Sequence, residues 1–182
     1  MESSLTLNKE ELLCDQLEKT ALEYCQTLKE TNRQNLLQVL QNNDCHKVVA
    51  KCVDGENISN AFVCAGYKNH LDILGAFLDR GMNVDIKNQY GDTALIQATR
   101  NEESVRLLLN QSGNVDIQGD SGRTALMRAS YYSCKEIVQL LLDHNADIDL
   151  KSNEGKTAFD FARSQEIKEM IRNHVNTSYV LK

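Results

Sequence analysis

Three times the chain runs Gly-x-Thr-Ala, then apolar residues, then Ala: Gly91 to Ala98, Gly122 to Ala129 and Gly155 to Ala162. The glycines stand 31 (91 to 122) and 33 (122 to 155) residues apart. A period near 33 is the mark of stacked supersecondary units. Each unit is too small to bury its own apolar face and must lean on its neighbours. An earlier copy fits at Asn60-Ala61-Phe62-Val63-Cys64-Ala65, because Ala65 to Ala98 is again 33 residues.

The unit around Thr93 supplies the pattern. Thr93 is a natural N-cap, and Ala94, Leu95, Ile96 and Ala98 form a short inner helix whose small alanines permit close stacking. A second, outer helix follows over Glu103–Leu109, with an apolar stripe. Ser112-Gly113-Asn114 is expected to end it, with Gly113 taking the left-handed conformation. Val115-Asp116-Ile117 is then extended, and Gly122 turns the chain into the next unit. The next unit repeats this, with Tyr131-Tyr132-Ser133-Cys134 as its turn and Ile137–Leu142 as its outer helix. Proline is absent from the chain, so Gly and Asn carry the turn signals.

This pattern resembles the ankyrin repeat over roughly residues 32–174. The resemblance rests on Thr-Ala-Leu-x-x-Ala, on the Leu-Leu-Leu outer helices, and on the returns Gly81-Met82-Asn83-Val84-Asp85, Asn114-Val115-Asp116 and Asn145-Ala146-Asp147-Ile148-Asp149. It implies an all-α solenoid of stacked helix-turn-helix units with β-turn tips. Residues 32–58 read as a degenerate first repeat, followed by 59–88, 89–119 and 120–152, with 153–174 as the C-terminal cap and 175–182 as a tail. The family's usual Thr-Pro-Leu-His has Ala for Pro throughout, and Ile96, Met127 or Asp160 for His. The Thr–His hydrogen bond of the motif is therefore missing. The unit at 89–119 also lacks two residues between its helices, so its outer helix is expected to start early and tilt.

Residues 1–31 precede the array. Asn8 and Glu11 suggest a capping pair, and Leu13, Leu17, Ala21, Cys25 and Leu28 fall on one apolar face. This amphipathic helix is expected to pack on the first repeat as an extra cap; the alternative is self-association through residues 8–30, giving a homodimeric scaffold.

Several functions are excluded on composition and spacing. The net charge of −6 argues against nucleic acid as the main ligand. No apolar run is long enough for a membrane span, and Met1-Glu2-Ser3-Ser4 is not the start of a secretory signal. The six cysteines form no C-x-x-C pair, which points to a reducing, intracellular and cytoplasmic setting. His46, His70, His144 and His174 are spread one per unit, so no nucleophile–base grouping converges and no enzyme, cofactor or metal site is expected. His70 reads as a structural residue of the inter-helix turn, and Cys45, His46 and Cys52 match no closed zinc pattern.

In ankyrin-like stacks, contacts come from the turn tips and the ends of the inner helices, which line a concave groove. Here the resemblance assigns Lys87, Gln89, Tyr90 and Asp92; Gln118, Asp120, Ser121 and Arg123; and Lys151, Asn153, Glu154 and Lys156 at the tips. The helix ends add Tyr67, Lys68, Arg100, Asn101, Tyr131 and Tyr132, with Ser164 and Gln165 beyond. Four of the six tyrosines thus fall on the groove, and tyrosine and arginine dominate interface hot spots. The expected function is a non-catalytic protein-binding module, an inhibitor or adaptor. A bacterial or viral effector delivered into a host cell, or an immunity-type protein, is a variant of the same class.

Overall fold

The alanine-rich short segments and leucine-rich longer ones fold as two parallel rows of helices. A computed structural model describes residues 2–27, 30–41 and 56–180, with side chains described for 12–27, 30–41 and 57–174. The helices are α1 (Glu2–Thr27), α2 (Glu30–Leu40), α3 (Glu56–Lys68), α4 (Leu71–Asp79), α5 (Ala94–Gln97), α6 (Glu102–Asn110), α7 (Ala125–Tyr132), α8 (Lys135–Asp143), α9 (Ala158–Phe161) and α10 (Gln165–Val180). Helices α3, α5, α7 and α9 stack as the inner row, and α4, α6, α8 and α10 as the outer row. One continuous core runs between them, from Leu13 to Ile171.

Each recurring residue type has a local physical task. Thr93, Thr124 and Thr157 are extended at the N-cap, and each hydroxyl accepts the amide three residues on. In the last unit Asp160 completes a capping box: its carboxylate accepts from the Thr157 amide and hydroxyl, both at 2.9 Å. The side-chain bond expected to be lost with the family's histidine is thus replaced there by a carboxylate. Gly91, Gly122 and Gly155 close tight turns at φ of 65, 70 and 73°, where a Cβ is unfavourable.

The Asn-x-Asp returns are also explained. Asn83, Asn114 and Asp147 each accept the amide two residues on, forming Asx turns. Asp85 and Asp116 then accept the amides of Asn114 and Asp147 in the next unit, both at about 2.9 Å or less. The helix ends differ from expectation in one place. Ser112, not Gly113, takes the left-handed conformation (φ 58°). Gly113 is instead pinned beside Leu108 O and Val84 Cγ2, each 3.3 Å from where its Cβ would lie.

The unit with the short inter-helix turn behaves as expected at its boundary. Helix α6 begins four residues after Ala98, whereas α4 and α8 begin six residues after Ala65 and Ala129. Asn69 and Ser133 supply a left-handed turn residue that the shortened unit omits.

At the N-terminus, α1 starts at Glu2, upstream of the Asn8–Glu11 pair expected to cap it. It packs along α3 while α2 packs on α4, so the two continue the inner and outer rows. The expected split at residue 31 falls inside α2. Leu13, Leu17 and Ala21 of the apolar stripe are buried within the chain, and Tyr24, which the stripe did not include, is fully buried beside them. Its hydroxyl lies 2.8 Å from His70 Nδ1. Leu28 and most of the expected degenerate repeat, including Cys45, His46 and Cys52, lie outside the described residues.

Candidate protein-binding surface

The row of turn tips and inner-helix ends brings the expected groove residues to one side of the stack, but they divide into two groups. The first group is occupied by bonds between units. Gln118 donates through its side-chain amide to Gly122 O at 2.6 Å and Lys151 O at 2.8 Å. Asn153 donates to Asp120 O, Lys87 to Gln118 O, and Asn101 to the carbonyls of Gly66 and Tyr67. Asp92 is clamped by Gln97 (2.6 Å) and by Arg128 of the following unit (3.3 Å). Arg123 pairs with Glu154, which also receives Lys156, and these two cations hold the Glu154 carboxyl below its ordinary range. Arg123 and Lys156 both lie over the ring of Phe161.

The second group is aromatic and cationic, at the inner-helix ends together with Tyr90 at a tip. Tyr67, Tyr90 and Tyr132 are 46%, 65% and 43% exposed, values far from those of core tyrosines such as Tyr24. Lys68 lies over the Tyr67 ring, 5.1 Å from its centroid. Arg100 lies over Tyr132 at 5.2 Å, Tyr132 meets Tyr131 edge-to-face at 5.2 Å, and Arg163 lies over Tyr131 at 3.8 Å. Gln89, Ser121 and Lys151 are exposed at the tips.

Between Tyr67 and Tyr90 opens a cavity of about 280 Å³, lined by Cys25, Asn60, Val63, Cys64, Asn88, Gln89 and Gln97. The Cys25 and Cys64 side chains hydrogen-bond to each other there. That bond and burial push the Cys25 thiol up, while the same bond draws Cys64 down. Cys134 lies elsewhere, and burial raises its thiol, the opposite of an activated nucleophile. Cys14 is disulfide-bonded, a feature the cysteine spacing did not suggest.

With the rows of capped helices and Gly-closed tips in view, comparison with known families is decisive. A family model described as ankyrin repeats (3 copies) matches residues 61–152 and 102–174. The chain belongs to the ankyrin-repeat family. No curated protein matches it significantly. Ankyrin repeats generally mediate protein–protein interaction and are typically non-catalytic. No described helix of this ankyrin array is long and apolar enough to cross a membrane, and among the described residues no three His, Cys, Asp or Glu side chains cluster to hold a metal ion.

Three residues of this ankyrin surface escaped sequence reasoning. Gln97 and Arg128 occupy the same position after the capping threonine in successive units, and their mutual bond (3.2 Å) crosses the interface. Arg163 was passed over in favour of Ser164 because the motif places helix ends two residues after the last Ala. In the final unit the helix breaks at Ala162 (ψ 119°), which brings Arg163 onto the face instead.

Proposed function

We propose that this ankyrin array is a non-catalytic inhibitor or adaptor that covers part of a partner protein with its concave face. The supporting observation is the row Tyr67, Arg100, Tyr131, Tyr132: large amphipathic side chains, partly exposed and already held by stacking, at matching ends of consecutive units. Such groups bury much area with little further loss of rotamer freedom, which is how interface anchors act. The 18 groove residues include six cations and three carboxylates, a positive face on a chain of net charge −6. The homodimeric alternative is less well supported, since Leu13, Leu17 and Ala21, which a dimer helix would use, are buried within the chain.

The test is affinity capture with the full chain, followed by titration of a captured protein. Tyr131→Ala with Tyr132→Ala is expected to weaken that binding by more than about 1 kcal/mol with the melting temperature near wild type. Equal affinities would overturn the reading.

A further inference from the structure

The arginines of this surface are not equivalent. Arg123 and Arg128 each have a carboxylate, Glu154 and Asp92. Arg100 and Arg163 are exposed, and among the described residues neither has a carboxylate within ion-pair distance nor donates a hydrogen bond. Each instead lies against a tyrosine, and the two tyrosines touch. A cation over a ring face is attracted by the ring's charge distribution, and that contact consumes none of the guanidinium's N–H donors. A guanidinium held this way is prepared to take a carboxylate in bidentate fashion.

We propose that the Arg100–Tyr132–Tyr131–Arg163 ladder docks an acidic segment of a partner protein, one carboxylate on each guanidinium and an apolar side chain over the tyrosine pair. This deepens the protein-binding reading above and rests on it. Charge complementarity carries the choice of partner: the face is positive, and its two unpaired arginines bracket the exposed Tyr132 and half-buried Tyr131. The steps along the ladder are 5.2, 5.2 and 3.8 Å. At about 3.3 Å per extended residue, they can be bridged by carboxylates no more than about four residues apart. Arg100, the tyrosine pair and Arg163 come from three successive units, so the segment would lie across the stack.

The experiment pans a random 16-residue peptide library displayed on phage against the full chain, then measures selected peptides by fluorescence anisotropy. Expected are sequences enriched in Asp and Glu at spacings of up to four. Binding should weaken as salt rises, and Arg100→Gln with Arg163→Gln should reduce it at least about tenfold. Arg106→Gln, which removes a cation paired with Glu102 on the outer row, should change little. Equal binding of a selected peptide and its Asn/Gln counterpart would overturn the acidic assignment. So would recovery of only neutral or basic peptides, or tighter binding of a 20-nucleotide single-stranded oligonucleotide. If such non-acidic peptides are still displaced by Tyr131→Ala with Tyr132→Ala, the concave-face reading survives and only the acidic partner fails. If no recovered peptide responds to those tyrosines, both fail.

Discussion

Most polar side chains of the turn tips and the aromatic–cationic group at the inner-helix ends serve opposite purposes, with Asn101 at a helix end siding with the tips. At the tips, polar side chains are consumed by bonds to the neighbouring unit: Gln118 reaches Lys151 O, Asn153 reaches Asp120 O, Lys87 reaches Gln118 O. At the helix ends, Arg100, Tyr131, Tyr132 and Arg163 lie against one another through ring contacts, and among the described residues neither arginine has a carboxylate partner. The lesson is that exposure and residue type do not define a recognition surface in a repeat stack. What matters is whether a side chain's hydrogen-bonding capacity is already satisfied by the next unit.

The difference predicts that damage at the tips is read in stability and damage at the ends in binding. The largest effect should come from Gly122→Ala. A Cβ there would meet Asn153 Oδ1 at 2.4 Å and its backbone N at 2.6 Å, in a left-handed residue. Conformational strain and overpacking together give a loss of roughly 2–4 kcal/mol in denaturant unfolding. Gly155→Ala has similar φ but nothing within 4 Å, so it should lose only about 1–2 kcal/mol. Equal losses would mean that inter-unit packing at the tips contributes nothing. Next, Asn153→Ala removes one inter-unit bond and should cost about 1 kcal/mol in the same assay.

In the first unit, α1 packs against the inter-helix turn through Tyr24 and His70. Burial, with a smaller contribution from Arg33, lowers the His70 pKa below its ordinary value of 6.5, against the opposing pull of Asp72 and Glu30. The folded chain therefore binds this proton less readily than the unfolded one. The resulting stability is present above about pH 6.5 and falls as pH drops toward the folded pKa. Thermal melts between pH 7 and 5 should show a shallower decline for His70→Gln than for the wild type; parallel slopes would count against that contact. The smallest effect is a gain. Ser133 sits at φ 58°, and Ser133→Gly should stabilise by about 0.5 kcal/mol, the strain relieved less the entropy of glycine.

How far the sequence was readable follows the same division. The threonine caps and the Gly-closed tips were legible because their geometry is local: the cap and its amide are three residues apart. The early start of α6 followed from two missing residues. Gln118 and Asn101 were read as groove residues because their partners stand 33 and 35 positions away. Nothing nearby announces such a bond. Tyr24 is similar, since its partner His70 is 46 positions off. Arg163 was missed because the motif assumes a helix end that the last unit does not keep, and Ser112 because Gly113 beside it looked the better candidate for a left-handed residue.

The bonds between tips have a mechanical consequence. Each joins a unit to its immediate neighbour, and they form a directional, hydrogen-bonded seam along one side of the stack. The outer row is also linked, by Arg33 to Asp72, Ser104 to Asn69 and Lys135 to Glu166, over a core that buries Val105, Leu108, Val138 and Leu141. The stack is thus stitched along both margins, through backbone carbonyls at the tips and through side-chain pairs on the outer row, so salt should loosen the outer margin before the tips.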